Sequence, residues 1–270
     1  MKIIIFLSLI YLSFSCIGLL SAFILLPKAV KIIKQISENY SSKFKTTFKD
    51  GPIYSGNATV YAGLTTGGNC LFPKEEYYDG MYAAINSYQY NADSGCGLCA
   101  LVVSPSNPQK AIRVRIIDEC PDCEHGSLEL SDKAFKELTG MDNPTPVEVT
   151  WALIPCDIDV EDFPALVEKG SKIKFQFKTR STPWFYQLKI FNTVYPVTKV
   201  EANIKGLWIP LIRKSSNYWS GSSIGASAGL EFRVTLADST VVIAKNVTLT
   251  VAKEDDDSDF STGDQTIEEN

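Results

Sequence analysis

The sequence predicts an all-β protein in two parts, a small closed barrel followed by a β-sandwich. Three observations carry this. Between Gly51 and Asp157 the apolar runs are short and β-like, broken at Gly67-Gly68, Asp79-Gly80, Gly95 to Gly97 and Gly140, with one helix among them. Many short strands around a single helix suit a small barrel. After about residue 169 the pattern turns to regular alternation, with six or seven strands in about 90 residues, the texture of a sandwich. Finally, every cysteine except Cys16 falls between residues 70 and 156, which confines any cross-links to the first part.

The chain opens with Met1-Lys2 and an uncharged apolar run, Ile3 to Leu26. Ile3 to Leu12 has the length of a signal-peptide core, and Ser13-Phe14-Ser15 or Leu20-Ser21-Ala22 supplies small residues for cleavage. The whole run of 24 residues is also long enough to cross a bilayer uncleaved. Lys28, Lys31 and Lys34 sit badly on the outer side of a membrane, so a cleaved signal over 1–26 is the favoured reading. Under either reading the remainder faces the secretory lumen, and a membrane is a partner only through an uncleaved segment. Residues 27–50 read as a polar tether.

In the barrel, 51–157, strands are expected at Gly56 to Ala62, Met81 to Ser87, Leu101 to Val103, Ala111 to Ile117 and Val147 to Pro155. The central stretch is IRVRIIDECPDCEHGSLELSDKAF, Ile112 to Phe135. It begins as a strand with Ile112, Val114 and Ile116 alternating, then delivers Asp118, Cys120, Cys123, a turn at His125-Gly126 and Glu129. Ser131 is placed as an N-cap with Asp132 in the first turn of a helix running to Leu138. A carboxylate mounted at the end of a buried strand is either a site or an ordinary strand end; the residues alone leave both open.

Residues 158–168 read as a linker. In the sandwich, 169–253, Ile173, Phe175 and Phe177 alternate with Lys172, Lys174, Gln176 and Lys178. Further strands are expected at Trp184 to Phe191, Tyr195 to Glu201, Trp208 to Ile212, Leu230 to Leu236 and Val241 to Val251. The tail, 254–270, carries eight acids and no base and is expected to be disordered. Without it the count is 26 bases to 23 acids, too even a balance for a nucleic-acid partner.

Six cysteines in one domain of a lumenal chain suggest three disulfides. The competitor is zinc, because Cys96-x2-Cys99 and Cys120-x2-Cys123 are spaced like a zinc ribbon. The N-terminal segment and the two further cysteines, Cys70 and Cys156, favour disulfides, so no metal and no cofactor is expected. Sequons fall at Asn39, Asn57 and Asn246.

Asp118 and Glu129 are the acid candidates. Inverting glycoside hydrolysis needs a second carboxylate to activate water, and the first barrel strand offers Asn57, Thr59 and Tyr61 but no acid. His125, the one histidine, reads as a turn residue. In the sandwich, Trp184-Phe185 and Tyr218-Trp219 are rings of the kind that stack on sugar faces. Strict alternation exposes only one of Trp184 and Phe185 and places Trp184 with Tyr186 and Leu188 in the core. Both face outward only if the strand begins after Phe185 or bulges there.

Taken together these residues resemble an expansin from about Gly51 to Lys253. The likeness rests on Gly56, Ala58, Thr59 and Tyr61; Gly68-Asn69-Cys70; MYAAINSYQY (81–90); Cys96-Gly97 with Cys99; and the strand ending in Asp before Cys-Pro. It continues through Gly126 to Ser131, then Trp151 with Pro155-Cys156. In the second part it includes Trp184-Phe185, Tyr195-Pro196-Val197, Gly206 with Trp208, and Asn217-Tyr218-Trp219.

The resemblance implies a six-stranded double-psi β-barrel, similar to family-45 glycoside hydrolases but without their catalytic base, and an immunoglobulin-like β-sandwich. It implies a secreted, monomeric protein that binds cellulose or another β-glucan and loosens walls without hydrolysis. Thr59, Tyr61, Asp118 and Glu129 then line a groove, and Trp184 and Phe185 form a binding row, with Tyr218 or Trp219 as its third ring. By the same resemblance the bridges are Cys70–Cys96, Cys99–Cys156 and Cys120–Cys123. Glu129 departs from the family's usual aspartate, and a glycan on Asn57 would crowd the groove, so that sequon is expected to stay empty. The rival readings are a lytic transglycosylase or weak endoglucanase with Asp118 as its acid, and an inert carbohydrate-binding matrix protein.

Overall fold

The computed structural model describes residues 53–61, 68–73, 80–92, 95–142, 145–158, 165–222, 225, 228–251 and 259–268. The apolar segment at 3–26, the tether and Asn39 lie outside them. Among the described residues no helix is long and apolar enough to cross a membrane.

The first part is a closed barrel of six strands: β1 (Ile53–Tyr61), β2 (Tyr82–Asn86), β3 (Cys99–Ser104), β4 (Asn107–Cys120), β5 (Leu128–Ser131) and β6 (Val147–Ile154). They close in the order β1-β5-β2-β4-β3-β6. β1 runs parallel to β5 and β2 parallel to β4, while the other neighbours are antiparallel. Alternation on β4 sends Ile112, Val114 and Ile116 into a core completed by Leu128, Leu130, Val102, Leu153 and Trp151. Two helices pack outside the closure, α1 (Ser87–Ala92) and α2 (Asp132–Thr139). Ser131 caps α2 as the sequence predicts, its hydroxyl accepting from the Ala134 N–H at 3.1 Å.

β5 is absent from the strands read off the sequence. It has only four residues, wedged between a turn and a helix cap, so its own pattern is too short to show. The barrel cannot close without it, since β5 joins β1 to β2.

The second part is a sandwich. One sheet orders β10 (Leu207–Pro210), β9 (Val197–Ile204), β13 (Leu230–Leu236), β14 (Val241–Val247) and β15 (Asp264–Glu268). The other orders β11 (Ile212–Arg213), β12 (Trp219–Gly221), β8 (Tyr186–Phe191) and β7 (Lys174–Phe177). Phe232 from one sheet meets Phe175 at 5.4 Å and Tyr186 at 5.9 Å from the other, measured between ring centroids. The fold is therefore all-β, a closed barrel followed by a β-sandwich.

One expectation is corrected. The acidic tail, expected to be disordered, contains a strand: β15 adds to β14 in antiparallel register. An open sheet edge has unpaired N–H and C=O groups, and a further strand laid along β14 satisfies them. Gln265 secures the strand, its amide donating to Ile173 O at 2.7 Å and accepting from Ile173 N at 3.0 Å. At the end of the stretch read as a linker, Leu166 and Val167 both donate to Cys156 O. Residues 159–164 lie outside the described set.

The smaller sheet is tied to the barrel beside the turn at Cys70-Leu71. Lys189 Nζ donates to Leu71 O at 2.6 Å and Asn217 Nδ2 to Cys70 O at 3.1 Å. The neighbouring residue on that turn, Asn69, holds Asp118.

Candidate functional site

Strand register assembles the groove. Thr59 pairs with Glu129 across β1 and β5, Glu129 with Ala84 across β5 and β2, and Ala84 with Asp118 across β2 and β4. Paired residues share a face, so these four form one row across four strands. The two acids stand two strand spacings apart, about 9–10 Å between their backbones across the sheet. Ala84, between them, has only a methyl to fill the space. This small residue is the part of the groove that sequence reasoning missed. Beyond the row, a cavity of about 310 Å³ is lined by Asn57, Thr59, Cys120, Asp122, Cys123, Glu124 and Glu129, among others.

Asp118 is held as an acceptor. Its Oδ1 takes the Asn69 N–H at 2.6 Å and the Glu119 N–H at 2.8 Å, and its Oδ2 takes the Tyr61 hydroxyl. Burial, followed by that bond to Asp118, pushes the Tyr61 phenol above its ordinary range. The turn that supplies Asn69 needs glycine at 68. Gly68 has φ of 54°, and a Cβ there would lie 2.5 Å from Ile117 O and 2.6 Å from Asp118.

Glu129 differs. Burial first, then the like charges of Asp118 and Asp122, raise its carboxyl above the usual carboxylate range. The folded state therefore binds this proton more tightly than the unfolded chain, so ionised Glu129 costs stability once the pH exceeds both values. Glu129→Gln is expected to raise the thermal midpoint at neutral pH, with the gain vanishing below the carboxylate range. Melting curves at both conditions check this; an equal shift at both would contradict it.

The sandwich carries the second element. Trp184 and Phe185 are 67 % and 55 % exposed, side by side. Alternation fails to predict this because β8 begins at Tyr186, and the two rings belong to the turn before it. Thr182 Oγ1 accepts from both the Trp184 and Phe185 N–H groups, at 3.3 and 3.2 Å. Gly225 lies against the indole, and a Cβ there would come within 2.9 Å of the ring.

No family model matches the chain. It is 22 % identical over 219 residues to Expansin-YoaJ of Bacillus subtilis, spanning 80 % of this chain and 81 % of that one. It is 24 % identical over 204 residues to Expansin-A26 of Oryza sativa subsp. japonica, spanning 71 % of this chain and 65 % of the rice protein. The crystal structure of a substituted Clavibacter michiganensis expansin in complex with cellohexaose superposes with a TM-score of 0.58 at 27 % identity, covering 72 % of this chain and 90 % of that one. The chain is expansin-like.

Not all of the predicted rings are exposed. Trp219 is only 4 % exposed and pairs with Leu188 inside the smaller sheet, so it has no face to offer a sugar. Its Ser/Gly-rich surroundings read as a loop, but β12 turns it inward. Tyr218, one residue earlier, is half-buried, and the Lys178 ammonium lies 4.7 Å from its ring centroid. His125 is exposed and packs edge-on against Tyr88 and Tyr54. Of the sequons, Asn57 lines the groove, and the Asn246 amide donates to Asp264 at 2.8 Å.

The expansin-like barrel has three bridges among its described residues: Cys70–Cys96, Cys99–Cys156 and Cys120–Cys123. Cys96 and Cys99 therefore belong to different bridges, which rules out a four-cysteine zinc ribbon.

Proposed function

We propose that this is a secreted wall-modifying protein that binds cellulose or a related β-glucan on Trp184 and Phe185 and loosens polysaccharide contacts at the groove without cutting the chain. The observation that carries the reading is the engagement of Asp118. With three donors on its two oxygens, it is poorly placed to take a proton from an attacking water, and β1 supplies Thr59 where an acid would be needed. The groove can thus hold sugar hydroxyls through Asp118, Glu129 and Thr59 while lacking a ready base. The cellohexaose complex of the Clavibacter relative supports a β-glucan as the ligand.

Asp118→Asn tests the groove's part. The variant is expected to lose most wall extension while its cellulose pull-down stays at the wild-type level. Unchanged extension would remove the groove from the mechanism and leave the inert matrix-protein reading.

One observation favours a second reading, a weak hydrolase or lytic transglycosylase. Asp118 and Glu129 share a row with one strand between them, so two carboxyls face the same groove, as the acid and base of inverting glycosidases do. The proton donor in that case is Glu129, whose carboxyl is shifted upward, rather than the Asp118 suggested by sequence. Release of reducing ends, for a hydrolase, or of anhydro-ended sugars, for a transglycosylase, abolished by Glu129→Gln, would establish it.

A further inference from the structure

The Cys120–Cys123 bridge stands apart from the other two. Its loop spans a sequence separation of 3, against 26 and 57, so it restrains the unfolded chain least and contributes least as a staple. It is also the bridge on the groove wall. Cys70, Cys96, Cys99, Cys120 and Cys156 are buried, whereas Cys123 is only half-buried and lines the cavity with Cys120 and Glu129. One ligand atom from each of Cys120, Cys123 and Glu129 lies within 4.8 Å of the others. Asp118 and Asp122 add negative potential at Glu129.

We propose that reduction of this bridge by a small thiol creates a binding site for a thiophilic divalent cation, of which zinc is the best match, with Cys120, Cys123 and Glu129 as ligands. A thiolate attacks the accessible Cys123 sulfur, forming a mixed disulfide and releasing Cys120 as a thiolate. A second thiol attacks the small-molecule sulfur of that mixed disulfide. The products are the free dithiol and one oxidised thiol dimer, so two electrons pass from the reductant to the bridge. Binding of the cation displaces the proton of each thiol and uses two sulfurs and one carboxylate oxygen. The open groove leaves a fourth position for water. Soft sulfur ligands select zinc over magnesium or calcium. The inference does not depend on the polysaccharide reading, although an ion there would withdraw Glu129 from the groove.

The test uses the full chain, treated anaerobically with glutathione and then desalted. Alkylation and mass spectrometry identify which cysteines are free, and Co²⁺ and Zn²⁺ are titrated as probes. The expected result is free Cys120 and Cys123 with the other bridges intact. One ion should bind per reduced chain and none per oxidised chain, with a thiolate-to-cobalt charge-transfer band. Cys120→Ser with Cys123→Ser should abolish binding, and Glu129→Gln should weaken it by roughly tenfold or more. The proposal is overturned if the freed pair takes up no ion, if the oxidised chain or the serine variant binds equally well, or if Glu129→Gln is without effect. It is equally overturned if Cys120 and Cys123 are freed only when all the bridges open and the near-ultraviolet dichroism collapses.

Discussion

Replacing Trp184 and Phe185 together by alanine is expected to weaken cellulose binding at least about tenfold, roughly 1.4 kcal/mol, while leaving the thermal midpoint near the wild-type value. Both rings are mostly exposed, so their removal opens no cavity. They precede β8, so the sheet's backbone bonds do not depend on them. What the variant loses is a flat apolar surface for the C–H faces of a sugar chain. A depletion assay on microcrystalline cellulose, run beside a melting curve, separates binding from folding. Undiminished binding of a folded double variant would remove the platform from the account.

The second large effect is the converse. Trp219→Ala should cost about 3–5 kcal/mol of stability, because a buried indole leaves a cavity in the sandwich core. Trp219→Phe should keep more of that stability and bind cellulose normally, since the ring is not part of the platform. Chemical denaturation of both variants, with pull-downs of the folded fraction, decides this. A stable Trp219→Ala protein that had lost cellulose binding would show that this ring, and not the pair at Trp184-Phe185, meets the ligand.

These two tryptophans show how far the sequence can be read. Each stands beside another aromatic residue, and local pattern assigns them the wrong way round. For Trp184, alternation along β8 argues for the core, but the hydroxyl of Thr182 ties up the Trp184 and Phe185 amides and delays the strand by two residues. For Trp219, the neighbouring serines and glycines argue for a loop, but pairing with Leu188 pulls it into the sheet. Side-chain direction in both cases depends on where a strand begins, which is set by the Thr182 turn at Trp184 and by pairing with Leu188 at Trp219.

The groove was more legible. The alternation of Ile112, Val114 and Ile116, the acid at the strand end and the capped helix after Ser131 are all local signals, and Asp118, Glu129 and Thr59 do occupy one row. What the sequence could not show is the route from Glu129 to Asp118 through Ala84. That route depends on β5, a strand too short to announce itself, inserting between β1 and β2. The tail misled for a related reason: its acids describe average solvation, while β15 answers to the open edge of β14.

The most direct test of the whole account is to follow creep of cellulose-rich wall specimens and release of soluble sugar side by side with the purified protein. Extension without new reducing ends is the predicted outcome. Sugar release that grows with protein concentration and vanishes in Glu129→Gln would contradict it and make the groove a cutting site.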